Sequence, residues 1–388
     1  MAEREPSEYG KTWNCNTGDL LVCDSLLNEL EYESWKNIMI PLARDPIPLP
    51  SGIDFDAINN EFDACILRGS NYINDHLDLQ PMADFINGLK IPFIPIGLGL
   101  QAPGYTSVSL SPGTRNFISA LSNACELVGV RGNFSAEQLA SMNVSNLEVI
   151  GCPSLYRTRM PNIRIQKKPC LDNSMRVGVT TNRFLKGAYA ANEELTKSAQ
   201  KLLMEMVADR PESLYISQGE TDEFLISRRV SERYDDALDR VLRYFDADAS
   251  SNIAKLIVNR NNVYFDVGNW AKHVSSLDFI VGLRLHGNII ALQEGVPALF
   301  ITYDSRVREI CEFMHLPFID VSNPIAQAGS LAEMYESADF TSFEQTYQIN
   351  YRTFVRFLER NGLSHTLAQP ALPSVGAEVH ATVVQKAA

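Results

Sequence analysis

Apolar residues along the chain fall into short blocks separated by longer, half-polar stretches. Between residues 60 and 155, DACILRG reads as a strand and turn and PMADFINGL as a helix. KIPFIPIGLGL reads as a strand closed by glycines, RNFISALSNACELVGVRG as a helix running into a short strand, SAEQLASMN as a helix and LEVIGCP as a strand. Strand-sized apolar runs alternating with amphipathic helices predict βα units, hence a parallel sheet covered on both faces. Such a sheet takes its ligands at the carboxyl ends of its strands.

The polar, proline-containing stretch from Pro161 to Ser174 has no period and marks a domain boundary. A second series follows at once: the strand MRVGVTT, the helix ELTKSAQKLLMEMVADR, the strand SLYISQG and the acidic helix YDDALDRVLRYF. VYFDVG, WAKHVSSL, DFIVGLRL, GNIIALQEG, PALFITY and SRVREICEFMHL then continue the alternation of strand and helix. The expected organisation is an α/β domain over residues 1–165, a second over 175–366, and a tail over 367–388 expected to be poorly ordered. Two doubly wound, Rossmann-like domains facing a cleft form the glycosyltransferase B-type architecture, shared with some sugar-nucleotide epimerases. Fold alone does not give the reaction.

With 34 basic and 47 acidic residues among 388, the formal charge is −13. No Lys/Arg stripe is present, which argues against a general nucleic-acid binder. The polar start MAEREPSEYGKTWN lacks the apolar segment of a secretory signal, and no run approaches the roughly 18 apolar residues of a membrane span. A cytoplasmic location is expected, with peripheral attachment at the inner membrane face as a variant of it. Seven cysteines (Cys15, Cys23, Cys65, Cys125, Cys152, Cys170 and Cys311) form no C-x-x-C pair and read as reduced core thiols. Histidine spacing suits no metal, and Asp246-Ala-Asp248, at the end of an acidic helix, reads as a solvated face.

The most informative segment is Arg284-Leu285-His286-Gly287, read as the end of a strand beside the start of a helix at Asn288. A guanidinium, an imidazole and helix-start N–H groups together suit an anionic ligand. The alternative is an Arg capping a carbonyl and a His packed in a turn.

The stretch from Gly282 to Pro317 resembles the C-terminal signature of the polysaccharide pyruvyl transferase family: Arg-x-His, a helix, Gly-Val-Pro, a strand ending in Tyr and a basic helix. Asn16-Thr17-Gly18-Asp19 resembles the family's opening Asn-x-Gly-Asp loop, Ile96-Gly97-Leu98-Gly99 its glycine-rich strand end, and Val128 to Arg131 with Ser135 its Val-Arg-x-x-x-Ser turn. Two places depart from the pattern. Leu67-Arg68-Gly69-Ser70-Asn71 stands where many members have Gly-Gly-Gly, and Gly151-Cys152-Pro153 where Asp-Pro usually follows a Gly.

The resemblance implies transfer of the enolpyruvyl-derived group of phosphoenolpyruvate to two sugar hydroxyls of a glycan or lipid-linked oligosaccharide, giving a pyruvate ketal, with no cofactor or metal. Arg284 and Arg183, the latter expected at the same sheet edge, would hold the donor's carboxylate and phosphate. Backbone groups from Leu285 through Gly287 to Asn288 would complete that anion site, with Tyr303 and Arg306 beside it. His286 would act as acid or base. Asn16, Gly18, Asp19, Gly69, Ser70, Asn71, Gly97, Gly99 and Arg131 would line the acceptor side of the cleft. Asn16 and Asp19 equally suit helix caps, and Arg131 equally suits a pairing with Glu137. Two other readings share the architecture. One is a nucleotide-sugar glycosyltransferase, for which Glu294, poorly placed after the helix, is the only nearby candidate to bind the ribose; the other is a catalytically inactive sugar-binding relative.

Overall fold

The structure, a computed structural model, describes residues 16–183, 185, 190–210 and 212–369. Cys15, His380 and residues 370–388 of the expected tail lie outside them.

The N-terminal series comprises α1 (Thr17–Glu29), α2 (Phe55–Glu61), β1 (Cys65–Arg68), α3 (Gln80–Gly88), β2 (Phe93–Leu98), α4 (Pro112–Ala124), β3 (Val128–Val130), α5 (Asn133–Ser141) and β4 (Leu147–Val149). Its four strands pair in the order β1-β2-β3-β4, all parallel. Helix starts follow side-chain chemistry: Asn16 Oδ1 accepts from the Gly18 N–H, and Ser111 caps α4 with Pro112 behind it.

After β4 a short 3-10 turn (Pro153–Tyr156) leads to the second series. It runs β5 (Val177–Thr180), α6 (Glu193–Ala208), β6 (Leu214–Ile216), α7 (Thr221–Ser227), α8 (Tyr234–Tyr244), α9 (Asn252–Arg260), β7 (Asn261–Asn262) and α10 (Val267–Val274). It continues β8 (Phe279–Gly282), α11 (Leu285–Gln293), β9 (Ala298–Thr302), α12 (Ser305–Met314), β10 (Phe318–Asp320), α13 (Pro324–Ala328), α14 (Leu331–Ser337) and α15 (Thr341–Arg360). The six strands are parallel in the order β10-β9-β8-β5-β6-β7. β2, β8 and β9 are buried along their whole length, as apolar strands covered on both faces must be. Two Rossmann-like α/β units thus face each other, the B-type arrangement expected from the pattern.

Two local readings change. VYFDVG forms no strand: β7 is the asparagine pair before it, and Asp266 instead caps α10. The chain also returns to its first half. Phe357 of α15 packs so closely on β3 that a Cβ at Gly129 would stand 2.7 Å from its ring. Phe354 stacks on Tyr156 at 4.5 Å, and Arg360 reaches Glu148 at 3.5 Å. Residues beyond α15 run along α1, where Glu31 N–H donates to Ser364 and Thr366 N–H to Glu29. Leu367, at the start of the expected tail, is buried.

Candidate functional site

In the second sheet the chain runs from β5 outward through β6 to β7, then returns beside β5 and runs the other way through β8 to β10. The crevice at that reversal is where open parallel sheets bind ligands. β8 stops at Gly282, whose φ of +151° and contact with β5, 2.0 Å from a would-be Cβ to the Thr180 carbonyl oxygen, exclude a side chain. The strand therefore ends two residues before Arg284, which is the N-cap of α11, with Leu285 and His286 in its first turn.

Arg284 is fixed from three sides. Its backbone N–H donates to Thr180 Oγ1 (3.2 Å), its Nε to the Thr181 carbonyl (3.1 Å), and its Nη2 to Glu220. Glu220 lies just beyond β6 and its side chain is 1% exposed. Burial alone would raise its pKa, but Arg284 and Arg183 hold the carboxyl below its ordinary value. Asn288 is spent within the fold: its amide donates to the Gly282 and Leu299 carbonyls, and its Oδ1 accepts from Thr180. Gly287 leaves room for the Gln218 side chain, 2.7 Å from a would-be Cβ.

His286 projects from α11 toward the first half of the chain. Gly18, at the start of α1, lies against its Nδ1, and Cys152, just beyond β4, has its sulfur 3.6 Å from Nε2. Burial pushes the imidazole pKa well below its ordinary value, and the charges of Arg131, Arg306, Arg68 and Arg284 push it further the same way. Those guanidiniums come from the carboxyl ends of β1 and β3, from the N-cap of α11 and from α12. The edges of both sheets therefore deliver cations to one imidazole.

The residues expected on the acceptor side come from the first half of the chain. Arg131 is buried; its Nη1 donates to Asn71 Oδ1 (2.6 Å), and its Nε has no hydrogen-bond partner among the described residues. Asn71, rather than the expected Glu137, is thus the side chain that holds it. Arg68 Nη1 donates to the Asp19 carbonyl (3.0 Å) and lies 3.4 Å from its carboxylate. Ser70 accepts from the Gly99 N–H (3.0 Å). Gly69, Gly97 and Gly99 sit where the ends of β1 and β2 pack on neighbouring backbone and on Asn71. Across the gap Tyr303 Oη accepts from Asn182 and from Arg306, whose Nε also donates to Asp304 (2.6 Å).

Arg183 follows β5 at the expected sheet edge, but its guanidinium is turned to α7. Its Nε and Nη2 donate to Glu223 (2.5 and 2.6 Å), and Nη2 also donates to Asp222 (3.0 Å). It supports Arg284 from behind, its backbone N–H donating to the same Glu220 carboxylate (3.2 Å). Glu294 is at the far end of α11, paired with Arg157. Asp246 meets Lys197 and Lys201, and Asp248 accepts from Ser250. Among the described residues no three His, Cys, Asp or Glu side chains converge as a metal-binding group, and no helix is long and apolar enough to cross a membrane.

The sequence model of the polysaccharide pyruvyl transferase family matches residues 16–305. The chain belongs to that family. No curated protein matches it. Among solved structures, UDP-GlcNAc 2-epimerase from Methanocaldococcus jannaschii in complex with UDP-GlcNAc and UDP is 12% identical, with 78% of this chain and 77% of that one covered and a TM-score of 0.45. The Neisseria meningitidis UDP-GlcNAc 2-epimerase bound to UDP-GlcNAc is 14% identical, with 79% of each chain covered and a TM-score of 0.43. Anabaena HepE in complex with UDP and glucose is 12% identical, with 79% and 76% covered and a TM-score of 0.41.

For this pyruvyl transferase family member, the pattern of residues missed the carboxylates that organise the arginines. Glu220 follows a strand at the binding edge, a position that the sheet-edge rule would have flagged. Glu309, on α12, crosses to α5, where Ser135 donates to it through N–H (3.0 Å) and Oγ (2.9 Å). Burial pushes its carboxyl up to about 7, the hydrogen bonds from Ser135 and the charge of Arg131 opposing that shift. No local signal announces this contact.

Proposed function

We propose that this transferase takes phosphoenolpyruvate as donor and joins its three-carbon unit to two hydroxyls of a glycan or lipid-linked sugar as a ketal. The observation that carries the reading is the convergence of Arg68, Arg131, Arg284 and Arg306 on one buried imidazole at a helix N-terminus. Phosphoenolpyruvate carries a carboxylate and a phosphate, and guanidinium forks and helix-start N–H groups match both. Arg284 and Arg306 would hold the donor from the second sheet and Arg131 from the first, and His286 would carry the proton.

The atoms balance with that residue alone as carrier. One sugar hydroxyl adds to C2 of the enol, and its proton passes to His286 and then to C3, which becomes a methyl group. The C2–O bond to phosphate breaks, with its electron pair leaving on the phosphate. The second hydroxyl then closes the ketal, and its proton leaves with the phosphate. Fixed positive charge would stabilise the departing phosphate. A nucleotide-sugar reading needs a carboxylate for the ribose, and Glu294 is engaged with Arg157 at the opposite end of α11.

Calorimetric titration without added metal, using phosphoenolpyruvate and, separately, UDP- and GDP-sugars, tests the donor. Saturable binding of phosphoenolpyruvate that is lost in Arg284→Ala supports the reading. Binding of a nucleotide sugar in its place would overturn it.

A further inference from the structure

The Cys152 sulfur lies 3.1 Å from Ser154 Oγ and 3.6 Å from His286 Nε2. It is fully buried, held there because Gly151, at φ +79°, turns the chain off β4 into Pro153. This is one of the two positions where the chain departs from its family's usual pattern, with Cys where Asp commonly stands. The fold thus puts the departure against the imidazole of the Arg-Leu-His block.

The charged groups bearing on that ring come from several elements and have one sign: Arg68 at the end of β1, Arg131 after β3, Arg284 at the head of α11 and Arg306 on α12. The nearby carboxylates are turned to arginines. Asp19 on α1 meets Arg68, Glu220 meets Arg284, and Asp304 meets Arg306. The partner on Nε2 is sulfur, which hydrogen-bonds weakly. A carboxylate at the same place would stabilise the imidazolium, since an opposite charge within about 4–6 Å moves a pKa by about 1–3 units.

We propose that Cys152 is a positioning residue that keeps His286 an uncharged imidazole, so that this histidine enters the reaction as a proton acceptor. The consequence for transfer rests on the phosphoenolpyruvate reading. By themselves the four cations oppose protonation. A bound phosphoenolpyruvate, with its negative charges among those arginines, lifts that opposition, and the ring can take the proton of the attacking hydroxyl. The imidazolium so formed stands among arginines and is a strong acid toward C3, to which it passes the proton before the C2–O bond to phosphate breaks. Proton uptake is thereby coupled to the donor's presence.

The test is histidine-ring NMR on the full chain across pH, with the His286 signal identified by its loss in His286→Gln. In the wild type the ring is expected to be uncharged at pH 7, and its midpoint to lie below the ordinary imidazole value of about 6.5. Cys152→Asp is expected to raise that midpoint by one unit or more, and Cys152→Ser to leave it where the wild type has it. A charged His286 in the wild type at pH 7, a measurement needing no substitution at Cys152, would overturn the proposal. So would an unmoved midpoint in folded Cys152→Asp, or a fall in Cys152→Ser, which would indicate a thiolate–imidazolium pair. Kinetics separate the two readings. If the ring titrates as expected but phosphoenolpyruvate neither binds nor transfers, the donor assignment fails and the role of Cys152 stands. If transfer occurs, the acid limb of kcat/KM should move up in pH with Cys152→Asp.

Discussion

Gly18 and the His286 ring touch across the two halves of the chain, with 2.5 Å separating Nδ1 from the place where a Cβ on Gly18 would stand. The start of the first helix is thereby cut to fit an imidazole carried by the eleventh. Gly18→Ala should change stability only modestly, because the preference of a helix for Ala over Gly, about 1 kcal/mol, offsets part of the overpacking cost of about 1–3 kcal/mol. It should nevertheless lower kcat/KM at least tenfold by displacing the ring. Parallel melting and transfer assays would show this, and full activity in the variant would mean that the contact is not needed.

Glu220→Ala should strip the Arg284 guanidinium of its carboxylate partner and leave it facing a void. Removing one partner of a buried ion pair costs about 3–5 kcal/mol, so a marked fall in unfolding free energy is expected by chemical denaturation. The milder Glu220→Gln should keep the fold and weaken phosphoenolpyruvate binding, because a neutral amide steers the guanidinium less firmly. Arg284→Ala should weaken that binding by about 2 kcal/mol or more, the scale of a lost charge-assisted contact.

His286→Gln should depress turnover by roughly 10²–10⁴-fold and leave donor binding largely intact. It should also change how stability responds to acid. The unfolded imidazole takes up a proton near 6.5, whereas the folded one resists it. The native state therefore binds fewer protons, and stability falls as pH drops below about 6.5. The variant should lose less over the same window, a difference that denaturation at pH 7.5 and 5.5 would measure.

Glu309 titrates in the opposite sense. Its carboxyl is pushed up to about 7 in the folded chain against an ordinary value of 4.5. Its contribution is fully present below about pH 4.5 and lost as pH rises through about 7. Glu309→Gln should flatten the stability profile across that window. A profile identical to the wild type's would show that the contact with Ser135 carries no such dependence.

Much of the fold is legible because parallel strands buried on both faces, such as Phe93–Leu98 and Ala298–Thr302, are apolar throughout, and the helices between them are amphipathic. Where pattern and structure part, the causes are physical. Val263 to Phe265 look like a strand because they cover core from a loop, while the hydrogen-bonded ladder uses polar Asn261 and Asn262. Arg284 and His286 are legible as a pair through the helix start beside them. Arg183 does follow the strand at the expected sheet edge, but its direction is set by Asp222 and Glu223. Those carboxylates lie on α7, well beyond the reach of any local pattern around Arg183.

The chain passes between its halves twice, once from β4 to β5 and once along α15. A body tied to its neighbour by a single strand can twist and swing in every direction, whereas two ties leave one easy rotation, about the line that joins them. Any opening between the halves would thus have to rotate about that line, a single path that returns Gly18 to His286 in the same register.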